Sequence, residues 1–125
     1  MTVLVDTSVL IDFLRGHPGA QSLLEDERLR APLHASEITR LEVLAGMRAK
    51  EESATKRLLE VFTWHPVDQE IAERAGALGR TWLASHGSID SADLAIAATA
   101  LVTGSNLVTC NVKHFPMFAE LRKPY

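Results

Sequence analysis

With 125 residues, 46% of them hydrophobic and 23% charged, the chain has the make-up of one ordinary globular domain with a core of its own. A formal net charge of −3 excludes binding to nucleic acid through bulk positive charge, but not through a local basic rim or through bound metal ions. The single cysteine, Cys110, excludes an internal disulfide and a thiolate metal cluster, and no stretch approaches the ~20 apolar residues of a membrane span, so a cytoplasmic protein is expected.

The chain opens with Val3, Leu4 and Val5, an apolar run that is too short for a signal sequence and lacks a basic lead. Apolar on both faces and ending at Asp6, it reads as a central strand of a parallel sheet. Thr7 or Ser8 is expected to cap the next helix, with Val9, Leu10, Phe13 and Leu14 inward and Gly16, His17 and Pro18 as its stop. A second short helix is predicted over 19–27, with Leu23 and Leu24 inward, and a strand over Pro32 to Ala35. Ser36 then caps a long helix reaching about residue 49, whose apolar side is Ile38, Leu41, Leu44, Ala45 and Met47. Glu42 falls at the border of that stripe, where a plain surface glutamate would pair with a nearby arginine.

A helix over 51–62 follows, with Leu58, Leu59 and Phe62 inward, then a strand over Trp64 to Val67 that Pro66 keeps out of the middle of a ladder. Asp68 caps a helix carrying Ile71, Ala75, Leu78, Trp82 and Leu83 on one side, ended by His86 and Gly87. Residues 87–100 form a turn, a cap and a helix whose buried side is nearly all alanine, closed by Gly104. Asn106 to Thr109 is the final strand, followed by a turn with Lys113, His114 and Phe115 and a tail carrying Arg122 and Lys123. No repeat or linker interrupts the alternation of strands and helices, so residues 1–125 are expected to form a single α/β domain with a mostly parallel sheet.

In such a sheet the ligand site lies beyond the carboxyl ends of the strands, where strand order reverses. Asp6 follows the first strand and Asn111 the last. Asp90 and Asp93, about 300° apart around a helix, share the face of its first turn. An acid there also complements the exposed N–H groups, so Asp90 fits a cap and a metal ligand equally well. With Glu42 these acids come from three separate segments and are expected to meet in one pocket. Crowded carboxylates repel unless a cation holds them, and a hard divalent ion with oxygen ligands, Mg²⁺ or Mn²⁺, suits a few carboxylates and waters. Such an ion acidifies a bound water and steadies charge on a phosphoryl group, which points to phosphodiester hydrolysis.

The ordered set resembles a known family. Val5-Asp6-Thr7-Ser8-Val9-Leu10-Ile11, Glu42 with Leu44-Ala45-Gly46, Asp93-Leu94-Ala95-Ile96-Ala97-Ala98-Thr99-Ala100 and Leu107 through Phe115 together resemble PIN-domain ribonucleases, and among them VapC-type toxins of bacterial toxin–antitoxin pairs. The resemblance implies a PIN-like three-layer sandwich whose central twisted, mostly parallel sheet has four to five strands flanked by helices. It implies a metal-dependent endoribonuclease in which Asp6 and Asp93 are the principal metal ligands and Glu42 the third acid, direct or through water. Asp90 would be an accessory acid at the rim, Thr7 or Ser8 would orient Asp6, and Asn111 would stand where relatives carry Asn or Asp. Lys113 stands two residues beyond Asn111 in place of an acid, which leaves the fourth position less negative and the number of metals open. The implied partners are RNA (tRNA or ribosomal RNA), a small antitoxin and a second copy of the chain.

The histidines His17, His34, His65, His86 and His114 make no zinc pattern, and His114 and Lys113 read as a solvated turn beside Asn111. Arg15, Arg40, Arg48 and Lys50 are candidates for a basic rim, although most charged runs are only solvated faces. Phe13, Leu23 and Leu24 suit an antitoxin groove or plain core packing equally, and Trp64 and Trp82 suit core or dimer contact. An aspartyl-phosphate phosphatase would want an acid where Ser8 stands, and a receiver domain would want paired acids that are missing. A PIN-like binding protein that acts in an antitoxin complex on operator DNA, with little cleavage of its own, is the remaining alternative.

Overall fold

The computed structural model describes residues 2–125. Four strands, β1 (Val3–Val5), β2 (Leu33–Ser36), β3 (Phe62–His65) and β4 (Asn106–Val108), form one sheet in the order β3-β2-β1-β4, and every pairing is parallel. Helices α1 (Thr7–Leu14) and α2 (Pro18–Arg30) connect β1 to β2, and α3 (Glu37–Ala45) and α4 (Glu52–Leu59) connect β2 to β3. The chain then returns through α5 (Gln69–Trp82) and α6 (Ser91–Thr103) to place β4 on the other side of β1. Strand order therefore reverses at β1, and the crevice between the carboxyl ends of β1 and β4 is where a ligand site is expected.

Alternate residues of β1 feed two cores. Val5 joins Val9, Leu10, Leu24, Leu58 and Phe62 on one face, and Leu4 joins Ile96, Ala97, Ala100, Leu107 and Phe115 on the other. This is the double-sided burial that a central parallel strand demands, and it explains the unbroken apolar run of β1. β3 is an edge strand and ends at His65, just before Pro66, which has no N–H to offer a ladder.

α6 is buried along almost its whole girth, from Asp93 through Ala100. It packs against α5, α3 and the sheet, and small side chains let those neighbours come close. Gly104 ends it in the left-handed conformation at φ 65°, a backbone that a Cβ disfavours. Ser105 N–H then bonds Ala100 O, and Asn106 N–H bonds Thr2 O. The carboxyl end of α6 thus sits beside the start of β1, so its amino end returns, ~20 Å away, to the edge where Asp6 lies.

Several expected boundaries and faces differ. Asp6 itself caps α1, its carboxylate accepting from Ser8 N–H, in place of Thr7 or Ser8. α3 stops at Ala45 with Gly46 as its cap, short of residue 49, and Phe62 belongs to β3 rather than to the preceding helix. The inward face of α3 is Thr39 and Val43, whereas Leu41 is 59% and Leu44 43% exposed. α3 touches both α1 and α6, and the surface turned to them carries the polar groups that hold the site. Among the described residues no helix is long and apolar enough to cross a membrane.

Candidate metal centre

Asp6 is held by the two segments that meet at the reversal of strand order. Its Oδ2 accepts from Ser8 Oγ and from Thr109 Oγ1, each at 2.7 Å, and more weakly from Ser8 N–H at 3.4 Å. A hydroxyl has one proton to give, and here each proton is directed by a backbone donor behind it. Cys110 N–H donates to Ser8 Oγ at 3.1 Å, and Asn111 N–H donates to Thr109 Oγ1 at 2.9 Å. The chain just after β4 therefore fixes the carboxylate just after β1, which is itself only 3% exposed. Among the described residues these hydrogen bonds all fall on Oδ2.

Thr7 serves a different acid. Its Oγ1 lies 2.7 Å from Glu42 Oε1 and 3.0 Å from Thr39 Oγ1. Both lie where the Thr7 hydroxyl donates, and its one proton favours the carboxylate, the stronger acceptor. Glu42 is thereby tied to the residue beside Asp6. Among the described residues no arginine pairs with it: Arg40, the arginine nearest in sequence, is bonded to Glu37 and stacked over Trp64 with its guanidinium carbon 4.2 Å from the ring centroid.

Asp93 and Asp90 form a reciprocal cap. Asp93 N–H donates to Asp90 Oδ1 at 2.8 Å, and Asp90 N–H donates to Asp93 Oδ2 at 3.1 Å. Asp90 is exposed and Asp93 only 8% so. Of the two readings left open for Asp90, the cap is the one its geometry displays. His114 Nδ1 stands 3.0 Å from Asp93 Oδ2. Burial pushes the Asp93 carboxyl up to about 6, with the Asp90 charge adding to the rise and the Asp90 N–H and His114 opposing it. His114, expected in a solvated turn, is half-buried and paired.

The segment after β4 thus reaches both principal acids, Asp6 through Thr109 and Asp93 through His114. Asn111 contributes its backbone: its N–H goes to Thr109, its carbonyl accepts His114 N–H, and its side chain is exposed. Ser8 is the residue that orients Asp6, while Thr7 orients Glu42. Thr109, Thr39 and His114 are the site residues that sequence reasoning passed over. Thr109 and His114 lie within the Leu107 to Phe115 motif, which is the signal that could have found them.

The donor chemistry suits a hard divalent cation: all-oxygen carboxylates sit at one sheet edge, and one of them is short of positive charge. The acids are not gathered into a ready-made cage. Among the described residues no three His, Cys, Asp or Glu side chains stand together so as to enclose an ion, and Asp90 turns its carboxylate to its own helix. An ion that keeps several waters and takes only one or two carboxylates, the habit of Mg²⁺, needs no such cage.

Comparison with known proteins identifies the family. Residues 3–121 match the PIN domain family. Ribonuclease VapC19 of Mycobacterium tuberculosis is 42% identical over 123 residues, covering 98% of both chains. Ribonuclease VapC10 of the same organism is also 42% identical over 123 residues, covering 98% of this chain and 92% of its own. Among solved structures, a toxin-antitoxin complex from Klebsiella pneumoniae superposes with a TM-score of 0.81 at 33% identity, covering 99% of this chain and 98% of that one. The four-stranded parallel sheet, the acids at its carboxyl edge and these relatives lead to one conclusion: the chain belongs to the PIN-domain family, in its VapC ribonuclease branch.

Proposed function

We propose that this protein is the toxin of a toxin–antitoxin pair, an endoribonuclease that hydrolyses RNA phosphodiester bonds with the help of Mg²⁺, or of Mn²⁺ in its place. The observation that carries the reading is the short segment Thr109 to His114, which holds Asp6 at one end and Asp93 at the other. Asp6, Asp93 and Glu42 would hold the cation, with Asp90 at the rim. When bound, the ion supplies positive charge for the phosphate and lowers the pKa of its water. Ser8 and Thr109 fix the plane of Asp6, Thr7 holds the Glu42 carboxylate, and His114 places a proton donor at Asp93.

The relatives' names support the ribonuclease and the antitoxin partner; tRNA or ribosomal RNA as target is our own extension. Exposed Leu41 and Leu44 on α3 favour a second copy as partner. Phe13, Leu24, Leu33, Leu58 and Val61 line a small apolar cavity of about 70 Å³ beside Glu25 and Arg28, which favours an antitoxin side chain there. Residues 1–125 are read as a single domain in the cytoplasm.

The test is cleavage of structured RNAs by the purified protein, with and without Mg²⁺, beside Asp6→Ala and Asp93→Ala. Cleavage abolished by EDTA and by each substitution is expected. Cleavage indifferent to all three would end the metal reading, and no cleavage under any of these conditions would favour a binding protein that acts in an operator-DNA complex.

A further inference from the structure

Arg15, Arg48 and Lys50 line an open concavity of about 530 Å³ together with Leu14, Glu51 and Ala54. All three cations are exposed, and among the described residues none takes part in an ion pair. In a chain of net charge −3 such a cluster is a local positive patch. Glu51, the acid in its wall, accepts Arg48 backbone N–H on Oε1 at 2.9 Å, and the three cations outnumber its single charge. A narrower cavity of about 40 Å³ shares Leu14, Arg15 and Glu51 as walls and includes Thr55, whose buried hydroxyl has no hydrogen-bond partner. A single water fits such a space.

The position of the concavity relative to the acids gives it meaning. α1 and α3 pack side by side and both start at the carboxyl edge of the sheet. At that end Thr7 bonds Glu42 and lies beside Thr39. Farther along, Ile11 and Leu14 of α1, Val43 of α3, and Gly46 and Met47 just past its end line the narrow cavity. α1 runs ~12 Å from the acid end to Arg15.

We propose that Arg15, Arg48 and Lys50 form a docking station for a phosphate of the RNA strand, a few nucleotides from the bond that is cut, with the strand lying along the crease between α1 and α3. This rests on the endoribonuclease reading above. The guanidinium forks match phosphate geometry, and Lys50 adds a mobile charge. The apolar wall, Leu14 and Ala54, is too thin to anchor the side chains of an acidic peptide.

The experiment measures binding of a labelled single-stranded RNA in EDTA, where cleavage does not interfere, across a series of salt concentrations. The variant is Arg15→Gln, Arg48→Gln and Lys50→Gln together. The charge-matched control is Arg74→Gln, Arg80→Gln and Lys123→Gln, all exposed positions away from the concavity. The station predicts that affinity at low salt falls about tenfold or more, and that the slope of log K against log salt becomes shallower by about 0.7 for each phosphate that is no longer neutralised. The control set should change both far less. Lys50→Gln alone should show a smaller effect in the same direction, which guards against a misfolded triple variant. If the wild type binds RNA and the triple variant keeps its affinity and slope, the station is wrong while the nuclease reading stands. If the wild type binds no RNA in EDTA, the station is wrong, and the nuclease reading fails only if the protein also cleaves no RNA in Mg²⁺. Unchanged RNA binding with abolished binding to a poly-glutamate peptide would also overturn the station, reassigning the patch to an acidic protein partner.

Discussion

His114 Nδ1 lies 3.0 Å from Asp93 Oδ2, joining the turn after β4 to the first turn of α6. Asp93 is nearly buried and beside a second acid, and the His114 ring is the side chain that meets its Oδ2. His114→Ala should lower the affinity for Mn²⁺ and the cleavage rate together by about tenfold, the worth of a hydrogen bond that orients a metal-ligating carboxylate. His114→Gln, which keeps a donor, should restore part of both. Calorimetric Mn²⁺ titration beside single-turnover cleavage reads the two quantities.

A pH dependence follows from Asp93. Its carboxyl is raised from 3.8 to about 6, so between those values the folded protein holds a proton that the unfolded chain has released. Stability from this group is complete below about pH 4 and is lost as pH rises through about 6. In metal-free protein the melting temperature should therefore carry a component that falls over that window. A divalent cation competes with the same proton, so the rise in melting temperature on adding Mg²⁺ should be slight below pH 6 and grow above it. Thermal melts from pH 4 to pH 8 in EDTA and in Mg²⁺ check both trends, and Asp93→Asn should remove the metal-free component.

Thr7 and Ser8 are neighbours that serve different acids. Thr7→Val leaves Glu42 without its 2.7 Å donor and Thr39 without its partner, and should cost about 1–3 kcal/mol of stability. Ser8→Ala removes a donor from Asp6 but leaves Thr109 in place, so cleavage should fall while stability changes by about 1 kcal/mol. Denaturant unfolding and cleavage kinetics on the two variants should separate in this way.

The small residues of α6 are a packing requirement. Ala97 is fully buried between the sheet and neighbouring helices, so Ala97→Leu should destabilise by about 1–3 kcal/mol through overpacking. Gly104→Ala, forced to φ 65°, should cost about 1 kcal/mol. Thermal denaturation measures each.

What could be read from the chain was whatever repeats locally. The doubly apolar β1, the Asp68 and Ser36 caps, the alanine-rich α6 and its Gly104 stop all follow from neighbours in sequence, and all are in the structure. The face of α3 differs from expectation because periodicity counts apolar residues. Leu41 and Leu44 point outward, and a buried threonine, Thr39, points in to complete the hold on Glu42. Thr109 and His114 escape sequence reasoning for a related reason. Their partners Asp6 and Asp93 are brought to them by strand order, so the Leu107 to Phe115 motif marks their segment but not which acid each one holds. The acids themselves are legible in their order along the chain, but among the described residues the pocket expected of them is no enclosed cage: Asp90 caps its helix, Ser8 and Thr109 hold Asp6, and Thr7 holds Glu42.

The central claim is that Asp6 and Asp93 serve one cation. Mn²⁺ affinity measured by calorimetry on wild type, Asp6→Asn, Asp93→Asn and the double variant tests it as a thermodynamic cycle. A shared ion predicts that either single change removes most of the affinity and that the double change removes little more. Losses that simply add, or two binding events that disappear one with each substitution, would contradict it.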